Sequence, residues 1–133
     1  MKKIIFFLIL AAQIASCVYA WGSREYEPYT PEVRYIAPGS ESTVDLTKDK
    51  VVTFKWKPVP IPGGGRALYK FELFKGFDYE RIMDKELARD AFFIDVPAAM
   101  FENGFTYTWQ VKQRDERTRI WSTTRRWSFV VSK

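Results

Sequence analysis

Histidine is absent from the 133-residue chain, and cysteine occurs once, at Cys17. Without histidine, Ser–His and Cys–His nucleophile pairs are excluded, as are zinc and copper sites of ordinary type. With a single cysteine there is no internal disulfide, so even in an oxidising compartment apolar burial must hold the fold. Aromatic residues make up 17% of the chain, five of them Trp, which is enough for such a core. Long apolar runs are missing too. The strongest, "IIFFLILAA" near the N-terminus, falls short of the roughly 20 residues that cross a bilayer as a helix. Charge is also modest. A formal +5, falling to +3 once Lys2 and Lys3 leave with the leader, makes a mildly basic surface. A nucleic-acid footprint would concentrate far more positive charge on one face.

The length suits one domain. Lys2 and Lys3, the apolar run and the small residues after it make an export signal. Two cleavage sites stand close together in "IASCVYAWGS". The first resembles the bacterial lipoprotein signal, with Ile14, Ala15 and Ser16 ahead of Cys17, and implies acylation of that thiol. Val18 after the cysteine resembles the sorting pattern for an outer membrane. The second is an ordinary peptidase site, with Val18 and Ala20 preceding a cut before Trp21. The expected organisation is a signal over residues 1–16 (1–20 for the second cut), a proline- and tyrosine-containing tether over 17–34 and a domain over 35–133. Membrane contact is expected only through a lipid on Cys17, and the product is lipid-anchored at the outer membrane or else periplasmic or secreted.

Beyond the leader the apolar residues recur with period two, the mark of half-buried strands. Val52, Phe54 and Trp56 share one face of "VVTFKW", and Tyr69, Phe71 and Leu73 one face of "LYKFELF". Phe92, Ile94 and Val96 align in "FFIDV", as do Phe105, Tyr107, Trp109 and Val111 in "FTYTWQV" and Trp127, Phe129 and Val131 in "WSFVV". "TVDLTKDK" reads as an edge strand and turn. "KPVPIPGGGRA", "ENG" and "RDERTR" supply the breaks. Periodicity leaves residues 79–90 open between a strand and a short helix. Six or seven short strands in one domain predict an all-β, antiparallel, two-layer sandwich of the immunoglobulin-like kind.

At "FENGFTYTWQV" the pattern resembles the E–F corner and F strand of fibronectin type III domains, with Phe101, Gly104 and Tyr107 at the family spacing. Asn103-Gly104 stands where that family usually has a proline-containing corner. By this resemblance Tyr107 is the tyrosine-corner residue, its hydroxyl bonded back to the chain near Phe101. The resemblance places Trp56 on the B strand, "ALYKFEL" on the C strand and "WSTTRRWSFVV" at the G strand, and spans residues 35 to 132. It implies a binding or spacer module. Trp56, Tyr69, Phe71, Tyr107, Trp109 and Trp127 are the expected structural core.

The clearest candidate surface is "QRDERTRIWSTTRRWS", where Arg114, Arg117, Arg119, Arg125 and Arg126 surround Trp121 and Trp127. Guanidinium groups stacked on indoles would form a ladder and could meet an acidic protein or polysaccharide. The blander alternative makes Trp127 core by its phase and the arginines solvated loop charges. The leader aromatics Trp21, Tyr26, Tyr29 and Tyr35 either dock a partner or lie on the domain, Tyr35 within the first strand. "PGGGR" lacks the Gly-Lys-Ser/Thr and helix of a phosphate loop. Asp84, Glu86, Asp90, Asp115 and Glu116 are the available carboxylates, all expected in loops with none paired towards a cleft. No enzyme, cofactor, metal site or nucleic-acid partner is expected. The expected role is a bacterial envelope module that binds another envelope or surface protein. A carbohydrate-binding module is the alternative, which requires two exposed, coplanar Trp or Tyr side chains.

Overall fold

The computed structural model describes residues 30–77, 80–89 and 91–133; Cys17, Trp21, Tyr26, Tyr29 and Asp90 lie outside the described residues. The strands are β1 (Arg34–Ala37), β2 (Ser42–Asp45), β3 (Val51–Lys57), β4 (Ala67–Lys75), β5 (Glu80–Leu87), β6 (Phe93–Pro97), β7 (Thr106–Asp115) and β8 (Trp127–Ser132). A short 3-10 turn, Ala98–Met100, links β6 to the approach of β7. The order β1–β3–β6 makes one sheet and β2–β8–β7–β4–β5 the other. The fold is an all-β sandwich. Every pairing is antiparallel but one: β2 runs parallel to β8, from Ser42 beside Phe129 to Asp45 beside Ser132. Residues 79–90, undecided from periodicity, contain strand β5, which pairs with β4 from Tyr69–Leu87 to Lys75–Glu80. Its charged sequence suits an edge, because Lys, Arg and Glu there discourage pairing with another chain.

Alternation explains the core. Val52, Phe54 and Trp56 of β3 face Tyr69, Phe71 and Leu73 of β4 and Tyr107, Trp109 and Val111 of β7, all buried. Phe54 stands at the centre, with ring centroids 4.9 Å from Phe71, 5.3 Å from Trp109 and 5.7 Å from Phe129. Such pairs add about 0.5–1.5 kcal/mol beyond their burial. The indole N–H groups of Trp56 and Trp109 are buried with no acceptor among the described residues, so these rings contribute through volume and shape. Trp127 is half-buried, packed edge-on against Tyr35 and Trp109.

Three expectations change. Phe92 and Phe105, in phase with core residues, are exposed; each immediately precedes its strand, where the regular alternation has not yet begun. Thr108 and Gln110, on the polar face of β7, are buried. Strand β7 lies in the interior of its sheet, where long side chains from neighbouring strands close over it. Finally, Thr30 and Val33, placed in the tether from sequence, are buried, and Val33 belongs to the core.

Candidate functional site at the loop end of the sandwich

The β3–β4, β5–β6 and β7–β8 connections meet at one end of the sandwich, together with the segment that enters at Thr30. Pairing of Ala67 with Asp115 closes the ladder there, and the Glu116 N–H donates to the Arg66 carbonyl at 2.8 Å. Arg89 reaches from the β5–β6 connection to Glu116. Thr30 Oγ1 donates to the Ile120 carbonyl at 3.4 Å, Gln113 Nε2 donates to the Val59 carbonyl at 2.8 Å, and Thr123 Oγ1 bonds Glu32. Entering chain and loops are therefore one bonded unit.

Within it, Asp115 is buried beneath Arg117. The carboxylate accepts the Arg117 backbone N–H at 3.0 Å, its Nε at 3.1 Å and its Nη2 at 2.8 Å. The guanidinium hydrogen bonds and then the backbone bond hold the Asp115 carboxyl below its ordinary range, and Arg117 is raised in return. Gly65 makes room for the pair: a Cβ there would lie 2.5 Å from Asp115 Oδ2. The glycines of "PGGGR" thus fit an internal carboxylate, with Gly63 and Gly64 supplying positive φ angles.

Strands β7 and β8 separate above Trp109–Trp127 and meet again at Arg114–Trp121, one residue out of register. Tyr35 of β1 fills the gap. Its hydroxyl accepts the Val111 N–H at 2.9 Å, donates to the Arg125 carbonyl at 2.6 Å and contacts Thr124 Oγ1. A side chain of the facing sheet so takes the place of a ladder bond between the separated strands. Burial raises the Tyr35 pKa, and the Thr124 and Val111 bonds offset only part of that rise.

The arginine–tryptophan cluster reduces to one rung. The Arg114 guanidinium lies 5.1 Å from the Trp121 ring and donates to the Thr118 carbonyl at 3.0 Å. Arg126 instead covers Phe74 at 4.9 Å and donates to Gln110 Oε1 at 3.0 Å. Adjacent strand residues point to opposite faces, so Arg126 lies outside while Trp127 turns towards the core. Arg125 is exposed beside Glu32, and Arg66 and Arg119 form no ion pair with any described residue.

Sequence reading missed the outer face of the five-stranded sheet. Glu72, only 5% exposed, accepts from Gln110 Nε2 at 2.9 Å and lies 3.4 Å from Arg81 and 3.5 Å from Lys112. Burial alone would raise its pKa, but Gln110, Lys112, Arg81 and Lys70 outweigh it and the carboxyl is lowered. Asp84 and Glu86, expected in loops, lie on β5, and Asp84 pairs with Lys70 at 3.5 Å and Arg81 at 3.3 Å. Glu72 and Asp84 thus both answer cations of the same sheet, whereas Glu86 forms no ion pair with any described residue. Among the described residues no cluster of three or more potential metal ligands occurs.

At the opposite end, the Glu102 N–H donates to the Tyr107 hydroxyl at 2.7 Å, and the Phe101 ring packs edge-on against Tyr107 at 4.9 Å. Phe77 (66% exposed), Phe105 (46%) and Met100 lie open at this end. Lys75 spans Phe105, 4.4 Å from the ring, and Glu102 at 3.1 Å. Among the described Trp and Tyr residues, Tyr35, Trp121 and Trp127 are half-buried and the others buried. No protein-family model matches the chain, and no curated protein is significantly similar to it. No helix among the described residues is long and apolar enough to cross a membrane.

Proposed function

We propose that the chain is a non-enzymatic, exported bacterial envelope protein, anchored through an acylated Cys17, whose one fibronectin type III-like sandwich presents a binding surface to another envelope or surface protein. The observation that carries this reading is the polarity of the domain. The segment coming from the leader is bonded into the loops at one end, while phenyl rings are exposed at the other. A module entered at one end and apolar at the far end suits display away from an anchoring surface.

The family reading draws support from the strand orders. Sheet β8–β7–β4–β5 follows a G–F–C–C′ arrangement and β1–β3–β6 an A–B–E one, with Tyr107 bonded to the backbone upstream of β7 as in a tyrosine corner. Two or three acyl chains at about 0.8 kcal/mol per buried methylene give stable anchoring without a spanning helix. The test is the intact mass of the mature protein from a membrane fraction, beside Cys17→Ser. A species beginning at Cys17 with added acyl mass, lost in the variant, supports the reading. An unmodified chain beginning at Trp21 overturns the anchor.

A further inference from the structure

We infer that the loop end of the sandwich is a membrane-facing surface that docks on anionic phospholipid headgroups, with Ile120 at its apolar tip and Arg66, Arg117 and Arg119 on its basic rim. The orientation rests on the tethered reading above; the surface itself is argued from the loops.

Three observations converge. First, the chain outside the described residues joins the domain here. Thr30 is buried against the β7–β8 loop and bonded to Ile120, so any anchor carried by the leader pulls on this end. Residues 18–29 can span at most about 40 Å when fully extended, which keeps the loops close to an acylated Cys17. Second, most described carboxylates of this end are already paired. Asp115 is buried under the largely exposed Arg117, Glu116 is held by Arg89, and Glu32 sits beside the exposed Arg125. Arg66 and Arg119 add exposed cations with no described carboxylate to answer them. Arg66, Arg117, Arg119 and Arg125 are thus exposed here, against one exposed carboxylate among the described loop residues, Glu116, which Arg89 holds; such guanidinium groups suit phosphate oxygens in two-pronged geometry.

Third, an apolar residue stands among these cations. Ile120 is 49% exposed between Arg119 and Trp121, whose indole is stacked on Arg114. An acidic protein partner would complement the cations alone. A bilayer interface takes the whole set, with arginine at headgroup level, an aromatic at the wet–apolar boundary and an aliphatic tip beyond it.

The test separates this surface from the anchor. The exported Cys17→Ser chain, released without acyl groups at the site before Trp21, is floated with phosphatidylglycerol-containing vesicles and with pure phosphatidylcholine vesicles. Binding should favour the anionic vesicles and weaken as salt rises. Arg119→Gln should weaken it about fivefold, the worth of one surface arginine. Ile120→Asp should weaken it at least as much, and Phe105→Ser, at the far end, should leave it unchanged. Equal binding to both vesicle types, no binding at low salt, or loss on Phe105→Ser alone would overturn the proposal. An acylated native chain whose Cys17→Ser form ignores anionic vesicles would keep the tether and remove the docking surface. An unacylated chain that still binds them through Ile120 would do the reverse.

Discussion

At the end where Thr30 enters, the sandwich is closed by charge: Asp115 chelates Arg117 over Gly65, Arg89 reaches Glu116, and three loops share these bonds. At the other end closure is aromatic. Tyr107 takes the Glu102 N–H, Phe101 packs on Tyr107, and Phe77 and Phe105 remain in solvent. Both ends bond backbone groups where strands turn over, yet their surfaces differ: exposed guanidinium groups stand beside the Phe92 and Phe93 rings at the first, and Phe77, Phe105 and Met100 stand open at the second. A solvated spacer has no need of such asymmetry. It follows naturally if each end faces a different neighbour, headgroup phosphates at the first and a protein at the second.

The comparison can be broken most forcefully at Tyr35. Tyr35→Phe leaves the Val111 N–H and the Arg125 carbonyl without their shared partner and should cost about 2–3 kcal/mol in urea unfolding. Hydrogen exchange should accelerate at Val111 and not at Glu102. Gly65→Ala forces a methyl group against the Asp115 carboxylate, so the Arg117 pair must move, for about 2 kcal/mol confined to the loop end. Tyr107→Phe is the counterpart at the far end. Losing the acceptor of the Glu102 N–H should cost about 1–2 kcal/mol and expose that amide alone.

Acid offers a gentler probe. The Asp115 and Glu72 carboxyls both lie below their ordinary values, so their contribution is full above the unfolded pKa values of about 4 and is lost as pH falls through the lower folded ones. Exchange of the Arg117 amide, bonded to Asp115, should therefore rise in acid before that of Glu102, whose acceptor is a hydroxyl. Smallest is Lys75→Ala, which removes a solvent-screened pair with Glu102 and the contact over Phe105 and should leave the urea midpoint almost unchanged.

Much of the fold was legible because period-two alternation is strong in β3, β4, β7 and β8, and the sandwich follows from the number of such segments. Alternation assigns a face and says nothing of where a strand begins, so Phe92 and Phe105 read as core. Nor does it report a strand's place in its sheet. Glu72 and Gln110 looked solvated because their burial depends on side chains such as Arg126, Arg81 and Lys112, which come from other strands. The candidate surface was located by its arginines but misread in detail. Composition suggested a ladder, whereas alternation with Trp127 puts Arg126 on the outer face over Phe74 and leaves Arg114 on Trp121. Tyr35 bonds Val111 across most of the chain, and no local pattern announces such a pair. A signal for Gly65 was present in "PGGGR", but its partner Asp115 could be found only in three dimensions.

The most direct test places a photo-crosslinking residue at Ile120 or at Phe105 in the membrane-bound protein and identifies what each captures. The account predicts lipid adducts from position 120 and protein adducts from position 105. Protein adducts from 120 together with lipid adducts from 105 would invert the domain on its membrane and contradict the account.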